Sequence, residues 1–118
     1  MARRRVVVTG IGTINPLGNN IEEYFTNLEN GVSGAAPITR FNAENFKTKF
    51  ACEVKDYDYT KYFDRKEVRL YDLYTQFALI AAQQAVADAA LDLDAIDKEM
   101  AGVIWGSGIG GLETFFQE

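Results

Sequence analysis

The residues that could do chemistry are few and fall in a handful of places. Residues 106–111, Gly-Ser-Gly-Ile-Gly-Gly, spell the pattern G-x-G-x-x-G. Behind a strand and ahead of a helix, such bare backbone can approach a pyrophosphate at a helix N-terminus. The same letters also describe a glycine turn needed for tight packing or as a pocket wall. A dinucleotide fingerprint belongs after a first strand, and its acidic partner lies about 20 positions further on. Here the pattern comes deep in the sequence and that partner position falls outside it, so the packing reading is preferred. Gly10-Ile11-Gly12 is weaker: with Gly18 it lacks the fingerprint spacing, and it reads as a strand-to-loop turn with close backbone packing. Cys52 invites a nucleophile reading, but a reactive thiolate needs an electropositive, partly exposed site. It stands in an apolar strand context with no histidine to activate it, and reads as a small buried hydrophobe. Arg65, Lys66 and Arg69 form a basic cluster, with Arg65 and Arg69 on one helical face. They are either a solvated face beside Asp64 and Glu67 or a docking point for an acidic partner. Cations at a helix start oppose its dipole, which makes them mildly costly there.

Composition excludes more than it offers. The 118 residues carry 12 Lys and Arg against 17 Asp and Glu, a net charge of −5, with one cysteine and no histidine. An acidic chain argues against a general nucleic-acid binder. One cysteine allows no internal disulfide and no CxxC site. Without histidine this sequence holds no Ser-His or Cys-His couple, no His-metal site and no His general base. So much is excluded that the sequence reads as part of a larger protein. No apolar run approaches the roughly 18 residues that span a bilayer. Arg3, Arg4 and Arg5 before Val6, Val7 and Val8 faintly suggest a signal peptide, but the run fails at Thr9 and Gly10 and no cleavage site follows. A reducing cytoplasm is the expectation.

The elements that must position these residues read as α/β. Residues 5–9 are a β-branched run without alternation, which suits a strand covered on both faces. After the turn cluster at 15–19, Asn20 is an N-cap with Glu23 as its capping-box partner. Ile21, Tyr24, Phe25 and Leu28 follow at helical spacing, and Gly31 stops a helix over about 21–30. Residues 31–45 read as irregular, and the second half of 46–54 as a strand. Residues 56–59 read as surface loop, with Tyr62 and Phe63 in a short turn or helix. From about 66 to 90 the helical signal is strong, with a stripe of Leu70, Leu73, Tyr74, Phe77, Ala81, Ala85 and Ala89. Its alanine-rich second half is expected beneath a sheet or against another helix. A loop over 92–100, a strand over 101–105, the glycine turn and the start of a further helix complete the order. It predicts an α/β fold with a parallel component.

In combination these segments resemble a known family. RRRVVVTGIGTINPLGNNIEEYFTNLENGVSGAAPITRFN, KTKFACEVKDYDYTKYFDRKEVRLYD and AGVIWGSGIGG, in that order, resemble the N-terminal part of the β-ketoacyl-[acyl-carrier-protein] synthases, type II. These are condensing enzymes of fatty acid synthesis. The resemblance implies a thiolase-like fold of two similar α/β halves, with residues 1–118 an incomplete N-terminal part of the first half. Val6, Val7 and Val8 would be its first core strand, and 102–105 another. The implied chemistry is decarboxylative condensation of malonyl-carrier with a cysteine-bound acyl group, with no cofactor. The family's nucleophilic cysteine, two histidines and lysine match nothing in this sequence, and Cys52 is not that cysteine. The segment alone is therefore expected to be inactive. Two carry-overs land here. Ile109 matches a residue lining the acyl pocket near the dimer interface. Arg65, Lys66 and Arg69 match the basic patch that meets acyl carrier protein, and Leu70 departs from relatives that have another lysine there. The implied whole is a cytoplasmic homodimer that binds acyl carrier protein, with no nucleic acid and no membrane insertion. A polyketide-type ketosynthase or chain-length factor shares the scaffold and is the nearest alternative. A small nucleotide-binding module using residues 106–111 is a distant one.

Overall fold

The computed structural model describes residues 3–117. The elements are α1 (Ile21–Glu29), β1 (Ala36–Pro37), β2 (Phe50–Ala51), a 3-10 turn (Tyr59–Lys61), α2 (Arg65–Leu70), α3 (Leu73–Asp88) and α4 (Leu112–Gln117).

Helix α1 forms where local signals place it. The Asn20 side chain accepts from the Glu23 amide at 2.9 Å. The return bond comes from one residue earlier than a capping box requires, since Glu23 accepts from the Asn19 amide. At the other end Gly31 adopts φ +66, and its amide bonds Leu28 O while that of Val32 bonds Asn27 O. This left-handed closure satisfies carbonyls that the helix end would otherwise leave bare.

The irregular stretch after α1 contains a two-residue strand. β1 pairs antiparallel with β2, Ala36 opposite Ala51 and Pro37 opposite Phe50. The Thr39 hydroxyl donates to Glu53 at 2.6 Å across the pair, and this bond foremost holds the Glu53 carboxyl below the usual carboxylate range.

Helix α3 is the element around which the rest gathers. Ile80 is wholly enclosed, and Ala78, Ala81 and Gln76 are buried beside it. The chain at 10–13 runs along its alanine face. A Cβ on Gly12 would fall on the Ala81 carbonyl, and one on Gly10 on the Ala85 carbonyl and Ala89 amide. Small residues on both sides are what allow this approach. Side chains of α3 then satisfy the adjacent backbone: the Ile11 amide donates to Asp88 at 2.9 Å and the Thr13 amide to Gln84 at 3.0 Å. The Gln84 amide donates in turn to Asn19 O.

Several expectations need correction. The single helix over 66–90 is two, broken at Tyr71 and Asp72. Its predicted stripe is not one buried face, since Leu70 is 78% exposed while Ile80 and Gln76, off the stripe, are buried. Alanines fall on several faces of α3 itself, so contact rather than periodicity selects the buried side. Residues 5–9 and 101–105 form no strand among the described residues, and Val6, Val8, Val103 and Ile104 are exposed. A strand is completed by a neighbour's hydrogen bonds, and neither run has one here. The β1–β2 pair is antiparallel, so the described sheet has no parallel component.

The surface is correspondingly large. A closed monomer of this mass exposes about 6,400 Å², whereas this chain exposes 10119 Å². Its radius of gyration is 17.5 Å, against about 13.5 Å for a compact domain of this length.

Candidate functional site

The basic cluster is held by a short, firmly capped helix. Asp64 accepts from the amides of Lys66 and Glu67 at 2.7 and 2.8 Å, and Glu67 accepts from the Asp64 amide at 2.9 Å. This reciprocal cap places two carboxylates at the start of α2, which offsets the cost of Arg65 and Lys66 there. The buried Phe63 ring meets Tyr71 edge-on at 6.0 Å and pins both ends of the helix. Arg65, Lys66 and Arg69 are exposed and form no ion pair among the described residues. The structure thus brings the three cations together on one open helix, with Leu70 beside them.

The glycine turn lies against the next corner of the chain. Tyr71 is extended, at φ −107 and ψ 117, and it separates α2 from α3. The Asp72 side chain makes no cap bond to α3. It accepts instead from the Thr114 hydroxyl in α4. A Cβ on Gly111 would land on the Asp72 carboxylate. Gly110 has φ +77, and a Cβ there would lie 4.0 Å from the Tyr74 ring. Ile109 sits in this turn, 77% exposed. A carboxylate against the turn opposes a phosphate by like charge, so the nucleotide reading of 106–111 finds no support here.

Beneath the corner a half-buried tyrosine meets a buried glutamine, a polar pair that sequence reasoning missed. The Tyr57 hydroxyl donates to Gln76 Oε1 at 2.5 Å, and Gln76 Nε2 donates to the Tyr71 carbonyl at 2.8 Å. Gln76 therefore satisfies a carbonyl freed by the helix break. The Tyr57 ring also packs edge-on against Phe77 at 5.1 Å. Residue 57 is thus part of the packing, in contrast to the surface loop expected. The visible signal was a tyrosine among aspartates with a glutamine later on a strongly apolar helix.

Burial pushes the Tyr57 phenol up to about 12, with Tyr62 and Asp58 adding smaller contributions. An unfolded tyrosine ionises near pH 10. The folded state holds this proton more tightly, so its stabilising effect is intact below about pH 10 and is lost as pH rises towards 12. Alkaline absorbance titration of wild type minus Tyr57→Phe should give a phenolate step near 12. A step near 10 would contradict the burial.

Cys52 is exposed, against the expectation of a buried hydrophobe. β2 ends at Ala51, one residue earlier, and Cys52 falls on the outward side of this two-stranded edge. Among the described residues no cluster of His, Cys, Asp and Glu could hold a metal ion. No described helix is long and apolar enough to cross a membrane. The α3 surface also carries an open apolar groove of about 360 Å³. It is lined by Ala82, Ala85, Val86 and Ala89 on one side and by Val103 and Trp105 on the other.

Comparison with known proteins sets this arrangement in context. The model of the family described as "Beta-ketoacyl synthase, N-terminal domain" matches residues 3–117. The chain is 44% identical to the 3-oxoacyl-[acyl-carrier-protein] synthase 2 of Synechocystis sp., over 97% of this chain and 27% of that protein. It is 44% identical to the protein of the same name from Coxiella burnetii, over 95% of this chain and 27% of that one. Among solved structures it resembles the ishigamide ketosynthase/chain length factor, with a TM-score of 0.71 and 43% identity, covering 80% of this chain and 24% of that one. The chain therefore spans about a quarter of the length of the relatives it matches.

Proposed function

Because the chain belongs to the β-ketoacyl synthase family and matches its N-terminal domain, we propose that it is the N-terminal part of a 3-oxoacyl-[acyl-carrier-protein] synthase of type II. The observation that carries this reading is the 44% identity to two proteins of that name over nearly the whole chain. In this reading residues 1–118 begin the first α/β half of a thiolase-like ketosynthase. The runs at 5–9 and 101–105 are core strands whose pairing the remainder completes, which accounts for the large exposed surface. The whole protein is a cytoplasmic homodimer.

The reaction transfers an acyl group from its carrier thioester to a cysteine thiolate, releasing the carrier thiol. Malonyl-carrier then loses CO2, and its carbanion attacks the acyl carbon and expels the cysteine thiolate. Histidines and an oxyanion hole stabilise the developing charge. This chain has no histidine, and in the family pattern the nucleophilic cysteine and the lysine match none of its residues, so in this reading the remainder supplies all four and the segment alone is inactive. What these residues contribute is recognition: Arg65, Lys66 and Arg69 meet the acidic carrier, and Ile109 lines the acyl pocket.

The test uses the full-length protein with acyl- and malonyl-carrier thioesters, reading CO2 release and the 3-oxoacyl product. Wild type should condense, and the isolated 118 residues should not. Reversing Arg65, Lys66 and Arg69 to glutamate should raise KM for the carrier substrate about tenfold or more with kcat little changed, and salt should narrow the difference. A wild type that does not condense overturns the activity, and an unchanged KM overturns the role of the patch. A polyketide-type ketosynthase or chain-length factor is the second reading, favoured by the likeness to the ishigamide protein. A wild type that condenses malonyl-carrier again onto its own unreduced 3-oxoacyl product would select the ketosynthase of that kind.

A further inference from the structure

We propose that Asp72 is a positioning residue that clamps the glycine turn and thereby sets where Ile109 stands. The inference rests on the reading of that turn as a wall of the acyl pocket. Asp72 occupies the N-cap position of α3, yet its carboxylate does nothing for α3. It reaches instead to an element 42 residues away, where Thr114 donates its hydroxyl. Among the described residues it forms no ion pair, and the Thr114 hydroxyl is its side-chain hydrogen-bond partner. Gly111 lies so close to the carboxylate that no side chain fits between them. Gly110, in its left-handed conformation, rests beside Tyr74 on the first turn of α3.

These contacts fasten the end of the turn to the start of the most buried helix of the chain. Ile109 is only two residues from Gly111 and is itself exposed. With most of its side chain in solvent, its position follows that of residues 110 and 111. Asp72 thus links α3, whose place is set by packing, to a turn whose place is not.

The experiment uses the full-length protein with Asp72→Ala, Asp72→Asn, Thr114→Val and the Ala/Val double variant. Amide hydrogen exchange of residues 106–112 is read by mass spectrometry. Condensation of hexanoyl- and myristoyl-carrier thioesters is read in parallel. Loss of a hydrogen bond to a charged group should speed exchange of these amides about tenfold or more in Asp72→Ala and Thr114→Val. The double variant should be little worse than either single one. Asp72→Asn keeps an acceptor oxygen and should restore most of the protection. The ratio of kcat/KM between the two acyl chains should shift in the same order, while KM for malonyl-carrier stays put. If Asp72→Ala does not fold, Thr114→Val decides alone. Unchanged exchange at 106–112 in a folded variant overturns the clamp, and altered exchange with an unaltered chain-length ratio overturns its link to Ile109. If wild type does not condense, the proposed activity fails, and the exchange data still decide the clamp.

Discussion

Gly12→Ala in the full-length protein is expected to abolish or nearly abolish soluble, folded material. The new Cβ would fall on the Ala81 carbonyl and lie 2.7 Å from both the Ala85 amide nitrogen and the Gln84 Cβ. Two of these are backbone atoms of α3, so no rotamer change relieves the clash. Either α3 shifts or the segment at 10–13 lifts from it, and lifting breaks the bonds from Ile11 to Asp88 and from Thr13 to Gln84. Overpacking plus stranded backbone amides should cost about 4 kcal/mol or more. Gly31→Ala is the comparison. Gly31 has open space around it but φ +66, so alanine there should cost only about 1–2 kcal/mol. Soluble yield and thermal unfolding check both. A Gly12→Ala protein as stable as Gly31→Ala would mean that the chain at 10–13 does not pack on α3 as described.

The next largest effect is expected at Ile80, whose side chain is 0% exposed. Ile80→Ala removes three buried carbons where neighbours on α3 are too small to fill the space. Such truncations cost about 2–5 kcal/mol, and the upper half of that range applies where the site collapses poorly. Ile80→Val should cost only about 0.5–1.5 kcal/mol. Denaturant titration gives the order, and a loss below about 1 kcal/mol for Ile80→Ala would show that α3 is not the centre of the core.

Legibility in the sequence followed the range of the interactions. α1 could be read almost residue by residue, because the Asn20 cap, the apolar spacing and the Gly31 stop are local. The close approach at Gly10 and Gly12 was also readable, since small residues recur on both partners. The break at Tyr71 and Asp72 was not: it has no proline or glycine, and it depends on Gln76 reaching back to the Tyr71 carbonyl. Strand identity at 5–9 and 101–105 rests on β-branched composition, whereas pairing depends on neighbours distant in sequence, and composition cannot supply those. Cys52 misled because its apolar neighbours say nothing about which side of a two-residue strand it ends on. At the site, the basic cluster was visible as a pattern, whereas the Asp72–Thr114 contact joins two ordinary residues far apart in sequence.

The exposed valine run has a colloidal consequence. Val6, Val7 and Val8 offer β-branched, uncharged and unpaired backbone, the kind of edge on which copies of a chain stack. Arg3, Arg4 and Arg5 lie directly on its flank. Two copies aligned parallel and in register would bring these like charges together, which opposes stacking of the uncovered run. Their reach is about 8 Å at physiological ionic strength and shrinks as salt is added. Uncovered chains should therefore stay dispersed in dilute buffer and clump as the ionic strength climbs.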